Sequence, residues 1–116
     1  MIRTRAEQKV TVNENMRGGV GEVRLEALLS AEELYDKGRL FSRVVVKPGC
    51  SIGYHTHENE METYVVVSGG GEYDDDGIIK MIGAGDVTLT ASGQGHGVKN
   101  VSDTDLVMFA LILHKN

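Results

Sequence analysis

Three of the four histidines in the chain occupy positions from which their side chains could meet at one point. His55 and His57 are two residues apart in a stretch with strand character, and alternate residues of a strand point to the same face. Their imidazoles would therefore lie side by side, as a pair of metal ligands does. An ordinary pair of histidines on a strand has the same spacing, so the pair alone does not decide the role.

Two further residues complete a candidate metal site. Glu62 follows a short loop after His57, where a neighbouring strand could turn its carboxylate back towards the histidines. His96 follows the turn Gly93-Gln94-Gly95, at the start of another apparent strand. Three imidazoles and one carboxylate suit Mn, Fe, Ni, Co or Zn. We therefore predict one divalent ion per chain, held by His55, His57, Glu62 and His96.

The glycines around these residues follow the spacing of two known motifs. The first, a glycine, His-x-His, a glutamate and a second glycine, is matched at every spacing by Gly49, His55, His57, Glu62 and Gly69. The second, two glycines, a histidine and an asparagine, is matched by Gly85, Gly93, His96 and Asn100. Together they resemble the two motifs of the cupin superfamily, although Ala91 replaces the proline of the second motif.

The resemblance implies a fold, an oligomeric state and a range of activities. It implies an all-β double-stranded β-helix, or jelly-roll barrel, with the metal inside the barrel, and it implies a homodimer. It also favours Glu62 over Glu60 as the carboxylate ligand, because only Glu62 leaves six residues before Gly69. Cupins with three histidines and one glutamate include oxalate oxidases and decarboxylases, dioxygenases and sugar-phosphate isomerases, so the resemblance selects no single reaction.

Four protein ligands would leave an octahedral ion two positions for a small molecule. We therefore predict a metal-dependent enzyme, a dioxygenase, decarboxylase or isomerase, that acts on an organic acid, a diketone or a sugar derivative. The alternative is a binding or sensor protein that captures a small carboxylate or sugar without turnover. A metal-free structural role is the weakest interpretation, since all four ligand residues are present. Residues near the ligands in sequence that are predicted to contact the substrate are Tyr54, Tyr64 and Gln94.

The residues from Leu40 onwards are expected to form the barrel that carries these side chains. Short β-branched and apolar runs alternate there with turn residues, which is the pattern of an all-β sandwich or barrel. Strands are predicted at residues 40–47, 51–57, 62–68, 71–74, 78–82, 87–90, 96–100 and 106–114. Asp76-Gly77 is a two-residue hairpin turn, with Asp74 to Asp76 as its solvated tip. The short turns leave no room for helices between strands, so the sheets should be antiparallel.

Residues 1–40 are predicted to be an N-terminal extension packed on a barrel of residues 41–116, the two forming a single domain. Lys9 to Val12 has an alternating tendency that could add an outer strand. Within residues 23–40 we predict one short helix, because Ser30-Ala31-Glu32-Glu33 fits a capping box and Gly38 is placed to end the helix. A chain of 116 residues can bury one core without disulfide or metal staples.

Charge and hydropathy restrict the expected partners to small molecules. The net charge of -5 and the scattered lysines and arginines argue against a nucleic-acid partner. The longest apolar run, Leu106 to Leu113, is far shorter than the ~20 residues that span a bilayer, so no membrane partner is expected. The N-terminus lacks the apolar stretch of a signal peptide and the single cysteine, Cys50, cannot form an internal disulfide. We therefore predict a cytoplasmic protein.

Overall fold

The computed structural model describes all 116 residues and contains ten β-strands and very little helix. The strands are β1 (Val10–Glu14), β2 (Glu22–Leu29), β3 (Gly38–Val46), β4 (Ser51–Thr56), β5 (Glu60–Ser68), β6 (Gly70–Asp75), β7 (Ile78–Gly83), β8 (Val87–Thr90), β9 (Gly95–Lys99) and β10 (Leu106–His114). The helical elements are two short 3-10 turns, at Arg5–Glu7 and Met16–Gly18. Neither has the length or the apolar character that a membrane-crossing helix requires.

The strands form two antiparallel sheets that enclose the core. The six-stranded sheet has the order β1-β2-β3-β10-β5-β8, and the four-stranded sheet has the order β4-β9-β6-β7. From β3 onwards the chain passes repeatedly from one sheet to the other, which is the path of a double-stranded β-helix. The predicted all-β jelly-roll fold is therefore confirmed.

Alternation along the strands separates the core from the surface. In β10, Leu106, Met108, Ala110 and Ile112 are buried, while the residues between them face away from the core. The core is completed by residues of both sheets: Val23, Val44, Val46, Ile52, Tyr64, Val66, Tyr73 and Val98. Most of these are β-branched or aromatic side chains, which fit a pleated, half-buried surface and so favour strands throughout.

The strands predicted after residue 40 are present, with ends that differ by at most two residues from the prediction. The Asp76-Gly77 turn is also confirmed, because both residues have positive φ, 50° and 98°, as a tight hairpin requires. The Gly77 N–H donates to Asp74 Oδ1 at 2.8 Å and closes the turn. The outer strand suggested at Lys9 to Val12 corresponds to β1.

The short helix predicted within residues 23–40 is wrong. The contacts of the capping box do form, since the Ser30 N–H donates to Glu33 Oε1 at 2.9 Å and the Glu33 N–H donates to Ser30 Oγ at 3.1 Å. The segment nevertheless ends after a single turn, because Tyr35 and Asp36 have left-handed φ values of 54° and 55°. The local capping signal is therefore real, but it begins a turn between two strands.

Strand β2 explains why the helical prediction failed. The glutamate, leucine and alanine residues of β2 have an intrinsic preference for a helix. This preference is smaller than about 1 kcal/mol per residue. As a strand, β2 instead pairs with β3 from Val23↔Val46 to Leu29↔Phe41 and buries Val23 completely. These long-range contacts outweigh the local preference. The division of the chain into an extension of residues 1–40 and a barrel of residues 41–116 stays a prediction.

The outer side of the six-stranded sheet carries a group of apolar side chains, with Arg43 among them lying over the ring of Phe109. This outer apolar face consists of residues that alternate with the core residues of β3, β5, β8 and β10, namely Phe41, Val45, Val65, Val67, Val87, Leu89, Val107, Phe109 and Leu111. Val87 and Leu89 are 66% and 58% exposed. Exposed apolar side chains grouped in this way are common at protein–protein contacts.

Candidate metal centre

A β-bulge in β4 turns His55 towards the interior. Ile52 pairs with Val98 but His55 pairs with His96, so β4 carries one more residue than β9 over this stretch. Ile52 and His55 are three positions apart, and strict alternation would put them on opposite faces of the sheet. The extra residue lets both face the core.

His57 lies just past the end of β4 and is held there by the loop of residues 91–94. Its N–H donates to the Gln94 carbonyl at 3.0 Å, and its own carbonyl accepts from the Gly93 N–H at 2.7 Å. The side chain of Gln94 closes the loop by accepting the Ala91 N–H at 3.1 Å. The hydrogen bond to Gln94 requires the N–H of Ala91. The proline that the motif has at this position could not make it, because proline has no N–H to donate.

The four predicted ligand side chains converge inside the barrel. His55 and His96 come from paired strands of the four-stranded sheet, and Glu62 points in from β5 of the opposite sheet. The Nε2 atoms of His57 and His96 are 3.1 Å apart. Glu62 Oε1 lies 3.1 Å from the first and 2.9 Å from the second. One donor atom of each of the four residues lies within 4.8 Å of all the others, so the cluster can hold a metal ion.

These separations fit the coordination of a single divalent ion. An ion about 2.1 Å from each donor places neighbouring donors roughly 3.0 Å apart and opposite donors about 4.2 Å apart. The cluster is also buried: His57, Glu62 and His96 are 2%, 5% and 0% exposed. A carboxylate at this depth requires a compensating positive charge, which a bound cation would supply. The three imidazoles and one carboxylate suit several ions from Mn to Zn and do not distinguish among them.

Two of the histidines are oriented by neutral acceptors at their outer nitrogens. His55 Nδ1 donates to the carbonyl of Gly53 at 2.7 Å, and His96 Nδ1 is hydrogen-bonded to the hydroxyl of Tyr73 at 2.8 Å. The Tyr73 hydroxyl is also hydrogen-bonded to Thr90 Oγ1 at 3.2 Å, and burial raises its pKa, so it stays protonated. Burial also lowers the pKa of His55 and favours its neutral imidazole. With the proton of each ring on Nδ1, the tautomer that a metal at Nε2 requires, both rings turn a lone pair towards the cluster.

Glu60 supports the third histidine from behind. Its carboxylate accepts from His57 Nδ1 at 2.5 Å and receives two hydrogen bonds from the Arg39 guanidinium, both of 2.8 Å. Arg39, and to a smaller extent His57, lowers the pKa of Glu60 to about 2, so Glu60 is ionised at neutral pH. Glu60 and Glu62, the two glutamates considered as the carboxylate ligand, therefore occupy different places in the structure. Glu62 faces the other three side chains, and Glu60 fixes the tautomer of His57.

Breaking the Arg39–Glu60 pair is expected to weaken metal binding without removing a ligand. In the variants Arg39→Met and Glu60→Gln, the His57 imidazole loses its fixed orientation and part of its basicity. We expect metal affinity to fall about 10- to 100-fold, the usual effect of losing such a partner. Competition titration against a chelator of known affinity measures the change.

The ion pair between Arg3 and Glu33 offers a matched control for this experiment. It has the same two-bond geometry, at 2.9 and 2.8 Å, but joins the N-terminal segment to the turn after β2. Arg3→Met should therefore leave metal affinity unchanged. Equal affinities in the wild type, Arg39→Met and Arg3→Met would refute a supporting role for Arg39.

The three residues predicted to contact substrate lie in different places. Tyr64 is buried and stacks on His96 with ring centres 5.0 Å apart, so it forms a wall beside the cluster. Tyr54 lies over Gly95 on the outer side of the four-stranded sheet, where it lines a groove of about 360 Å³. Gln94 is exposed, and its side chain closes its own loop. The structure therefore brings Tyr64 to the cluster, and does not bring Tyr54 or the Gln94 side chain there.

Sequence analysis missed two residues that support the cluster. Arg39 is the second residue of β3 and contacts Glu60, 21 positions away in sequence, a link that no local pattern reveals. Tyr73 lies on the inner side of β6 and meets His96 across 23 positions. Alternation within the predicted strand 71–74 could have placed the Tyr73 side chain inside the barrel, but it could not have named its partner.

Comparison with known proteins identifies relatives at both the family and the sequence level. Residues 42–112 match the family Cupin_2, described as a cupin domain. The oxalate-binding protein of Thermotoga maritima is 46% identical over 99 residues, which cover 85% of this chain and 82% of the relative.

Solved structures extend the similarity to the whole fold. A Thermotoga maritima crystal structure, described as a predicted oxalate decarboxylase, matches with a TM-score of 0.94 at 42% identity and covers 98% of this chain and 99% of that chain. An uncharacterized conserved protein of Klebsiella pneumoniae with a double-stranded β-helix domain matches with a TM-score of 0.68 at 25% identity. That match covers 79% of this chain and 76% of the other.

Proposed function

The chain belongs to the cupin family, and on that premise we propose that it binds oxalate, or a closely similar small dicarboxylate, on a divalent metal ion. The proposed metal ligands are His55, His57, Glu62 and His96. The observation that carries the proposal is the convergence of these four side chains at the distances of a single ion. The name of the Thermotoga relative, an oxalate-binding protein, supports the choice of ligand.

The residues around the cluster suit a small anion. A bound divalent ion would supply a Lewis-acidic centre for two oxygen atoms of the ligand. Tyr64 forms the adjoining wall, and burial raises its pKa well above the ordinary value, so the wall stays uncharged and does not repel an anion. Gly53 and Tyr73 hold His55 and His96 in the orientation that leaves their inner nitrogens free.

Binding is placed before turnover because the sequence relative that supports the choice of ligand is named an oxalate-binding protein. A metal-dependent decarboxylase, dioxygenase or isomerase remains the second candidate, because the Thermotoga crystal structure is described as a predicted oxalate decarboxylase.

Calorimetric titration with oxalate tests the proposed function. Protein loaded in turn with Mn, Fe, Ni, Co and Zn should bind one oxalate per metal ion with at least one of these ions, whereas metal-free protein should show no measurable binding. The second candidate, a metal-dependent enzyme, is tested on the same samples by measuring oxygen uptake, carbon dioxide release and isomerisation. If the protein binds oxalate with none of the five ions, the proposal is contradicted.

We also propose that the protein is a homodimer that packs through the outer apolar face. A face-to-face contact with a second copy is isologous, so the same group of apolar side chains would be contributed by both copies. Such a contact would cover side chains that are largely exposed on one chain, including Val87 and Leu89. A cytoplasmic location is part of the same proposal, and the free thiol of Cys50 suits it.

A further inference from the structure

The groove of about 360 Å³ on the outer side of the four-stranded sheet, called here the outer groove, lies away from the metal cluster. Tyr54 and Gly97, which line it, are the sequence neighbours of His55 and His96. Adjacent residues of a strand face opposite sides of the sheet, so Tyr54 and Gly97 face outward where the two histidines face inward. The outer groove and the metal centre are therefore separate places on the two sides of the same strands.

The outer groove forms where one strand lacks a side chain. Gly97 of β9 pairs with Asp74 of β6, and a Cβ atom on Gly97 would lie 3.0 Å from the Tyr54 nitrogen. The glycine therefore leaves a depression between Tyr54 on β4 and Asp74 on β6. Ile79 pairs with Asp74 and lines the groove from β7. Small-molecule sites occupy about 300–1,000 Å³, so a groove of this volume suits a small ligand.

Exposed apolar side chains line part of the outer groove. Val20, Tyr54 and Ile79 are 63%, 49% and 54% exposed. The Tyr54 ring lies against Gly95, where any Cβ atom would overlap it, so main chain supports the ring from one side. A supported aromatic ring presents a rigid surface, and a second ring packs on it at little entropic cost.

The charged side chains of the outer groove are of both signs. Glu72 and Asp74 place two carboxylates on β6, and Lys99 lies opposite Glu72 on β9. Although Glu72 and Lys99 are partners in the ladder, neither takes part in the ion pairs of the chain. Both charges are therefore available to a ligand.

From these features we infer that the outer groove binds a small zwitterion, an α-amino acid with an aromatic side chain. Its ammonium group would bind Glu72 and Asp74, and its carboxylate would bind Lys99. Its ring would pack between Tyr54 and Ile79. A simple anion would be repelled by the two carboxylates, and a simple cation would leave Lys99 without a partner. An aromatic zwitterion uses the charges of both signs and the apolar wall together.

Calorimetric titration of the zinc-loaded protein with L-phenylalanine tests the inference. One molecule should bind per chain, with a dissociation constant of about 1 mM or below. N-acetyl-L-phenylalanine lacks the ammonium group and L-phenylalaninamide lacks the carboxylate, so each should bind about 10-fold more weakly or worse. Equal binding of the three compounds, or no binding of phenylalanine, would overturn the inference.

Substitutions in the outer groove locate the binding. Glu72→Gln and Lys99→Gln each remove one charge and nearly preserve shape. Each should lower the affinity for phenylalanine about 10-fold or more, the effect of losing a charge-assisted hydrogen bond. Lys9→Gln is the matched control, because Lys9 lies just before β1, at the edge of the other sheet. Wild-type affinity in both groove variants would overturn the inference.

Competition with oxalate separates this binding from binding at the metal centre. Saturating oxalate should leave the stoichiometry and affinity of phenylalanine unchanged, because the two places lie on opposite sides of the sheet. Displacement of phenylalanine by oxalate would place the amino acid on the metal ion and overturn the inference. A protein that binds phenylalanine through Glu72 and Lys99 but does not bind oxalate would contradict the proposed function alone.

Discussion

Replacing His96 with alanine should lower metal affinity by about 1,000-fold or more, well beyond the effect of losing a supporting partner. His96 is completely buried, and its Nε2 atom lies 3.1 Å from His57 Nε2 and 2.9 Å from Glu62 Oε1. Its removal leaves a gap in the middle of the cluster that no neighbouring donor fills. Metal content after dialysis and competition with a chelator measure the loss.

His114 provides the matched control, since it is the remaining histidine and lies exposed at the end of β10. His114→Ala should keep the full metal affinity. Because His96 is also bonded to Tyr73, Glu62→Gln serves as a second variant that nearly preserves shape while removing the negative charge. Thermal unfolding of the metal-free proteins identifies any loss of folding. Retention of metal by both folded ligand variants would contradict the metal site.

A glutamate in place of Val65 should convert the proposed dimer into monomers. Val65 lies on β5 and is 39% exposed, so a charged side chain there remains solvated in the isolated chain. In a face-to-face dimer, the same charge would be buried against apolar side chains of the second copy. An unpaired buried charge costs several kcal/mol, so we expect the dissociation constant to rise about 100-fold or more. Analytical ultracentrifugation over a range of protein concentrations measures it.

Ile79 provides the matched control, because it is an exposed apolar residue on the four-stranded sheet. It is 54% exposed and lies on the outer side of β7, in the groove that also contains Tyr54. Ile79→Glu should remain a dimer with the affinity of the wild type. Dissociation of Ile79→Glu, but not of Val65→Glu, would place the interface on the four-stranded sheet. A wild-type protein that sediments as a monomer at every concentration would refute the dimer.

The metal cluster could be predicted because its residues obey short-range rules. The two-residue spacing of His55 and His57 identifies a shared face, and the glycine spacing adds Glu62 and His96. Gly69 shows why that spacing is informative. Its φ is 77°, and a Cβ there would lie 2.2 Å from the Asp105 carbonyl, so only glycine fits. A motif of this kind therefore records backbone geometry as well as side-chain chemistry.

The features that could not be predicted depend on contacts between distant parts of the chain. The bulge in β4 is defined by its register with β9, which cannot be read from either strand alone. Strand β2 has a helical composition, and its pairing with β1 and β3 makes it extended. The link from Arg39 to Glu60 joins β3 and β5, which lie on either side of β10, and the link from Tyr73 to His96 joins the paired strands β6 and β9. Local sequence patterns thus identified the candidate donors, and tertiary structure determined how each is held.

The three imidazoles rest on three chemically different acceptors: a peptide carbonyl behind His55, a carboxylate behind His57 and a phenol behind His96. The carboxylate attracts the Nδ1 proton most strongly and leaves His57 the most electron-rich of the three donors. A metal ion held by these residues would therefore meet three unequal nitrogen donors, with His57 as the strongest of them. A paramagnetic ion bound there would couple unequally to three nitrogen nuclei, so its resonance spectrum would distinguish histidines that look alike in the sequence.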